Sequence, residues 1–168
     1  MANPIFLALR GIQFFCALIV MSLVGNMIAL AVAGNPSIIN FDMFVAVFAM
    51  LSLLYLVAAT FVERLYHGKV VLGLEVLNVL FFFCGAVATA SYLGVHSCGN
   101  TKYTHSNFIT NGAANTHKRC TEAQASTAFL FFGFFAFLAS LVLSFMHSMG
   151  GGSSAGSSFR RGPAMSQV

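Results

Sequence analysis

The 168-residue sequence has charged side chains at only 7% of its positions, whereas 58% of its residues are hydrophobic and its mean hydropathy is +0.86. Soluble domains carry about 25% charged residues, so this chain has too little polar surface to coat a water-soluble particle. Its formal net charge of +4 is spread along the sequence rather than gathered in one basic patch, which argues against a nucleic-acid partner. The composition predicts an integral membrane protein.

Apolar runs long enough to cross a bilayer occur four times, since a spanning helix needs roughly 20 mainly apolar residues. The runs lack the apolar/polar alternation of barrel strands, and four strands are too few to close a barrel. We therefore predict an all-α fold, a four-transmembrane-helix bundle in residues 1–149. The predicted helices cover residues 11–33, 41–62, 70–95 and 123–146, and a polar loop covers residues 96–122.

The start of the chain resembles a secretory signal peptide, because Arg10 precedes the first apolar run and Ala31-Val32-Ala33 looks like a cleavage site. The apolar part covers 23 residues, well beyond the usual length of about 7–15 residues. We predict an uncleaved first helix, preceded by a short interfacial segment at residues 2–9.

The basic residues predict which way the bundle faces. With four crossings, both termini and the short second loop share one side, and that side holds five of the eight Lys and Arg residues. Arg10 precedes the first helix, whereas the loop after it carries only Asp42. Cytoplasmic segments are enriched in Lys and Arg, so we predict cytosolic termini and an external loop at 96–122.

Residues 150–168 form a Gly/Ser-rich tail that contains Arg160 and Arg161. Gly/Ser-rich segments behave as flexible coil, and this tail has little to bury, so we predict that it is disordered in the cytosol. Its last residues, Ser166-Gln167-Val168, resemble a docking motif for a PDZ groove. Whether the tail docks a partner is left open.

The predicted external loop contains two cysteines, Cys98 and Cys120. In an oxidising compartment they can close the loop with a disulfide, whereas two free thiols would suit the inverted topology. Nearby histidines make zinc a third option. The H-x-C and H-x-x-C spacings differ from the usual C-x-x-C, however, and a disulfide would consume both thiols. We predict the disulfide, with no metal and no cofactor.

Glu75 is an acidic residue deep inside a predicted span, which makes it a functional-site hypothesis because burying a carboxylate costs free energy. The polar residues at similar depth are Gln13, Tyr55, Thr60 and Asn78, and we expect Glu75 to bond among them. Two interpretations stay open, a structural hydrogen-bond hub and a contact to a ligand or lipid, with proton-coupled transport as a third. As a hub, Glu75 should tolerate substitution by glutamine.

Asn26 lies near the outer end of the first predicted helix. Amide side chains in spans usually bond across helices. Hydroxyl groups at matching depth belong to Thr89, Ser91 and Thr127, and we expect one of them to be its partner.

Small residues recur every three or four positions in three of the predicted helices. Such rows let another helix backbone come close. We interpret them as packing surfaces within the chain, with an oligomer interface as the alternative. The rows are Gly25, Ala29 and Ala33 in the first helix, Ala86, Ala90 and Gly94 in the third, and Gly133, Ala136 and Ser140 in the fourth.

Catalytic signatures are missing from the sequence. It contains no glycine-rich phosphate loop, H-E-x-x-H, G-x-S-x-G or C-x-x-C motif. We predict that the protein is not an enzyme.

Several short segments carry a family resemblance. They are Arg10-Gly11-Ile12-Gln13, Ala59-Thr60, Glu63-Arg64, Glu75-Val76-Leu77-Asn78, the Cys98/Cys120 loop and Arg160-Arg161-Gly162-Pro163. With four spans and a longer third loop that bears a cysteine pair, the chain resembles the MARVEL four-helix membrane domain. More narrowly, it resembles the fungal non-classical export protein 2 family.

This resemblance implies a non-enzymatic organiser that concentrates in furrow-like plasma-membrane domains (eisosomes) and responds to sphingolipid status. The partners it implies are membrane lipids, with sphingolipid or sterol as candidates, and other membrane or eisosome proteins; a homo-oligomer is a further option. The alternative function is a small transporter or channel that uses Glu75. A carboxylate facing a wet cavity would favour transport, and one tied to neighbouring helices would favour an organiser.

Overall fold

The computed structural model describes residues 4–32 and 34–150, with side chains except at 63 and 147–150. Within these residues the chain is helical, and its only β-type pairing is an isolated bridge between Ala31 and Ala113. Most of the predicted tail lies outside the described residues, from 151 onward. The helices are α1 (Pro4–Ala29), α2 (Ser37–Phe61), α3 (Gly68–Leu93), α4 (Thr101–Ser106) and α5 (Thr116–Gly150), with 3₁₀ turns at Glu63–Leu65 and Thr110–Gly112.

Four of these helices are long and apolar enough to cross a membrane: α1, α2, α3 and the Thr116–Met146 part of α5. The shortest has 25 residues, which at about 1.5 Å per residue exceeds the roughly 30 Å of a hydrocarbon core. The predicted fold class, an all-α four-helix transmembrane bundle, is confirmed.

The helix starts differ from the predicted ones. α1 begins at Pro4 rather than 11, so the segment predicted to be interfacial is helical from that residue. Proline suits a first helical position because its missing N–H has no partner there anyway, and no breaker separates it from the apolar run. α5 begins at Thr116 rather than 123, since the Asn115 side chain accepts a hydrogen bond from the Lys118 N–H at 2.9 Å and caps the helix.

The helix ends also differ. α1 ends at Ala29, just before Ala31 pairs with Ala113, and Gly34 then takes a φ of 87°, which is open to glycine. α3 ends at Leu93, where Gly94 takes a φ of 64° and its N–H bonds back to the Ala90 carbonyl. Glycine is common just after a helix for this reason.

The four long helices form a ring. α1 packs against α2 and α5, and α3 packs against the same two helices. Large apolar side chains are abundant on the outer faces, as at Leu54 and Phe135, which are 66% and 59% exposed. Such surfaces suit lipid rather than water. The core includes Val20, Val24, Ala46, Leu53, Phe82, Leu130 and Phe137.

The predicted small-residue rows pack to different degrees. On α5, Gly133, Ala136 and Ser140 are all buried, and a Cβ at Gly133 would collide with the Phe82 ring. This row is a close contact between α5 and α3.

The other two rows are less continuous. Ala86 is buried, and Gly25 and Ala90 are half-buried. Ala29 and Gly94 are exposed, because they lie at the helix ends, beyond the packed part of the bundle. Ala33 lies outside the described residues.

Candidate functional site

Four polar side chains form a hydrogen-bonded cluster inside the bundle, which we call the Arg10 network: Arg10 and Gln13 on α1, Glu75 on α3 and Ser140 on α5. All four are buried, with Glu75 fully so. Arg10 Nη2 forms an ion pair with Glu75 Oε1, and Arg10 Nη1 donates to Gln13 Oε1 at 2.8 Å. Ser140 Oγ donates to Glu75 Oε2 at 2.6 Å.

Gln13 completes the network on its α5 side. Its Nε2 donates to Ser140 Oγ at 2.8 Å and to the Ala136 carbonyl at 3.1 Å. Three of the four spans are therefore joined by side-chain hydrogen bonds in one layer.

Chain direction and helix periodicity explain why Arg10, Gln13 and Glu75 come together. α1 and α3 run the same way through the bundle, and Arg10 and Glu75 are the seventh and eighth residues of their helices. At about 1.5 Å per residue, both lie roughly 10 Å from the same end. Arg10 and Gln13 share a helix face because residues three apart are neighbours on a helix.

The network neutralises its own charge. Both Glu75 oxygens accept hydrogen bonds, one from a cation, so a carboxylate that would be costly alone is compensated. Arg10 Nε alone of the network's donors lacks a partner among the described residues. Glu75 is thus tied to neighbouring helices, which is the arrangement that favours an organiser over a transporter.

Three predicted partners of Glu75 bond elsewhere. Thr60 Oγ1 donates to the Leu56 carbonyl and Tyr55 hydroxyl to the Leu65 carbonyl, each at 2.8 Å. Asn78 Nδ2 donates to Ser52 Oγ at 2.8 Å, because it faces α2 rather than α1 and α5. The predicted hub was wrong in these partners, and Gln13 reaches Glu75 only through Arg10 and Ser140.

Sequence reasoning missed two members of the network. Arg10 was assigned to the flank of the first span, and Ser140 to packing. Had α1 been started at Pro4, the three-residue spacing of Arg10 and Gln13 and the matching depth of Glu75 would have indicated the pair.

A second buried cation, Arg119, joins the loop to the spans. It is 1% exposed. Its Nε donates to the Ile109 carbonyl at 2.7 Å, Nη1 to the Met27 carbonyl at 2.9 Å, and Nη2 to Asn35 Oδ1 at 2.9 Å. Met27 lies in the last turn of α1, where carbonyls lack helical partners. Arg119 therefore caps α1 and holds the α1–α2 linker and the loop together.

Asn26 bonds to an acid rather than to a hydroxyl. Its Nδ2 donates to Glu122 Oε1 at 2.5 Å, and the hydroxyls of the three residues predicted as partners are engaged elsewhere. The early start of α5 explains the difference, because it brings Glu122 into the bundle beside α1. Glu122 also lies 3.7 Å from Lys118 Nζ.

The structure contains the predicted disulfide, Cys98–Cys120, with the two Cα atoms 5.6 Å apart. It joins the end of α3 to the start of α5, next to Arg119. The Tyr103 hydroxyl donates to the Leu93 carbonyl, and desolvation raises the pKa of Tyr103. Among the described residues, no group of three or more His, Cys, Asp and Glu side chains is placed to hold a metal ion.

Four spans with apolar outer faces and a charged, hydrogen-bonded interior define a multi-pass membrane protein. The chain matches the MARVEL family, described as a membrane-associating domain, over residues 4–143. This match includes α1 to α4 and most of α5.

Relatives come from three yeasts. The chain is 32% identical over 161 residues to non-classical export protein 2 of Saccharomyces cerevisiae, covering 95% of this chain and 91% of that protein. It is 38% identical over 165 residues to non-classical export protein 102 of Candida albicans, covering 95% of each. A Schizosaccharomyces pombe homologue is 30% identical over 111 residues, 66% of this chain and 59% of that protein. No solved structure gives a significant match. The chain belongs to the MARVEL family and, within it, to the non-classical export protein 2 group.

Proposed function

We propose that the protein is a non-enzymatic organiser of the plasma membrane, which assembles sphingolipid-responsive, eisosome-like domains and supports the traffic or export that depends on them. The observation that carries the proposal is the ion pair of Glu75 with Arg10. The one carboxylate of the Arg10 network serves to join helices. The export component rests on the names of the relatives, which refer to non-classical export.

The outer surface supports a role in lateral association. Bulky residues such as Phe15, Leu54 and Phe132 are 57–66% exposed on α1, α2 and α5. Between helices in lipid, association depends on packing and lipid entropy, because acyl chains are as apolar as leucine. Hydrophobic mismatch adds fractions of a kcal/mol per Å, so clustering should be graded, reversible and sensitive to lipid composition.

The proposed orientation has both termini in the cytosol. Arg64 in the α2–α3 connection and Lys69 in the first turn of α3 are exposed, at the end of the bundle where α1 begins, and basic residues favour the cytoplasmic side. The disulfide suits an external loop, since oxidising compartments allow it to persist.

An impermeant thiol reagent on intact cells tests this orientation. We expect Asn111→Cys to be labelled directly and Arg64→Cys only after permeabilisation. The reverse pattern would show that the bundle is inverted.

Lipid depletion tests the organiser function. A fluorescent fusion should lose its clusters when sphingolipid synthesis is blocked and regain them on resupply, and a deletion strain should assemble fewer membrane domains. Unchanged clustering together with normal domain assembly would refute the proposal.

A matched variant separates the organiser from the transporter. Replacing the ion pair by apolar residues (Arg10→Met with Glu75→Leu) removes both charges and keeps side-chain volume. An organiser should still cluster, whereas a transporter that uses Glu75 should lose its function. Solute flux in proteoliposomes that the wild type supports and this variant abolishes would establish transport instead.

A further inference from the structure

Asp42 is a buried acid with a different environment from Glu75. It lies in the second turn of α2 and is fully buried. Thr89 Oγ1 on α3 lies 2.6 Å from Asp42 Oδ2, and Oδ1 has no hydrogen-bond partner among the described residues. From the sequence alone Asp42 counts as a loop charge, because the predicted second helix begins only one residue before it.

The space around Asp42 is narrow and apolar. A Cβ built on Gly85 of α3 would lie 2.8 Å from Asp42 Oδ1 and 3.6 Å from a Leu130 methyl of α5. The carboxyl therefore rests directly on the α3 backbone, in a space that only glycine leaves open, with Leu130 beside it. Neither Gly85 nor the Leu130 side chain can solvate a negative charge.

No charged group of the neighbouring helices α1 and α3 compensates Asp42. The charged residue of α1 in the described range is Arg10, which is paired with Glu75. On α3, Lys69 and Glu75 lie near the opposite end, since α2 and α3 run antiparallel. The remaining titratable side chains of these two helices are Cys16, which is buried, and Cys84 and Tyr92, which are exposed.

The charged groups of α5 are also committed elsewhere. Arg119 donates to Met27, Ile109 and Asn35, and Lys118 lies beside Glu122. Of the residues that the structure describes, the ion pairs are Arg10–Glu75 and Lys118–Glu122. Asp42 belongs to neither.

We propose that Asp42 is a proton-binding site, a carboxylic acid that stays neutral at mildly acidic pH while α2 lies on α3 and ionises there when the two helices separate. A buried acid without a cation favours its uncharged form, because the charge would lose its hydration without compensation. The neutral acid keeps its contact with Thr89, since a hydroxyl can donate or accept in the same hydrogen bond.

The proposal gives stability a definite pH dependence. Between about pH 4, the ordinary range of an aspartate, and the pH at which the folded bundle itself releases the proton, the unfolded chain has lost this proton while the folded bundle keeps it. Stability then falls as pH rises, with the unfolding equilibrium constant increasing about tenfold per pH unit from this group.

The sequence offers a direct test, because Asp42 is its only aspartate. Cell-free synthesis with aspartate labelled by carbon-13 in the side-chain carboxyl gives one reporter carbon in the unmodified full-length chain. In lipid nanodiscs at about pH 5, where an ordinary aspartate is ionised, we expect its NMR shift to be that of a neutral acid and to stay constant down to about pH 4. A carboxylate shift at about pH 5 would overturn the proposal.

A variant tests the coupling to stability. Asp42→Asn imitates the neutral acid in size and lacks the titrating proton, so the wild type should lose thermal stability with rising pH relative to this variant. Equal pH dependence of the two melting midpoints would overturn the proposal. If Asp42→Asn does not fold, the labelled wild type still decides the protonation state.

Discussion

Glu75→Gln removes one charge from the Arg10 network and keeps the size of the side chain. The sequence alone suggested that this change would be tolerated, because neutral partners were expected around Glu75. The structure reverses the expectation, since the substitution leaves the buried Arg10 guanidinium without its counter-charge. Breaking a buried pair by removing one partner costs about 3–5 kcal/mol, a large part of a typical stability of about 5–15 kcal/mol.

A double-mutant cycle isolates the ion pair from other effects. Arg10→Met alone should also cost stability, because it leaves the fully buried carboxyl group of Glu75 without its cation. The double variant Arg10→Met/Glu75→Gln has no uncompensated charge, and its amide can still bond to Ser140. It should recover most of the lost stability, with a coupling energy of about 3 kcal/mol.

Reversible unfolding in mild detergent, followed by circular dichroism across a denaturant series, measures all four free energies. Size-exclusion chromatography provides the control that each variant starts as a monodisperse species. A stability of Glu75→Gln within about 1 kcal/mol of the parent, the usual range of a neutral hydrogen bond, would refute the stabilising ion pair. Single losses that simply add in the double variant would refute it as well.

Three further changes are testable by the same unfolding assay. Arg119→Lys should cost about 1–3 kcal/mol, because a lysine ammonium cannot reach all three acceptors that the guanidinium reaches. An unchanged unfolding midpoint would show that Arg119 does not stabilise the contacts among α1, the α1–α2 linker and the loop. Replacing Cys98 and Cys120 by serine should cost about 3 kcal/mol on chain-entropy grounds, and mass spectrometry without reductant should find the linked peptides in the parent but no longer in the variant. Gly133→Ala should cost about 1–3 kcal/mol through overpacking, whereas Gly73→Ala, with open space around it, serves as the control that should not destabilise.

The number and type of the spans could be predicted from the sequence because hydropathy is a one-dimensional property. A bilayer requires about 20 apolar residues in a row, and each run of that length became a helix. The helix starts could not be predicted in the same way. Hydropathy does not detect Pro4 as a first helical residue, or Asn115 as a cap that carries α5 through a polar segment.

The partners inside the bundle depend on helix rotation, which the sequence does not specify. Depth alone made Thr60 and Asn78 as plausible as Arg10 for Glu75, and Thr89 as plausible as Glu122 for Asn26. Only the helix faces that the structure shows decide between these partners, and they pair Arg10 with Glu75 and Asn26 with Glu122. Arg10 and Arg119 lay outside the predicted spans. They were therefore counted as charges that set the orientation of the bundle, and not as residues that make contacts inside it.

The positions of the two buried arginines connect the fold to the proposed function. Arg10 and Arg119 lie toward opposite ends of the bundle, and each binds groups on separate parts of the chain. Between them the interior is mainly apolar, with Phe82 and Leu130 in the core. Apolar packing alone gives little reason for helices to prefer each other over lipid, so the polar contacts at the ends tie α1, α3 and α5 together, and Arg119 also ties the α1–α2 linker through Asn35. The outer faces are then free to present large apolar side chains to lipids or to a second membrane protein, as lateral organisation requires.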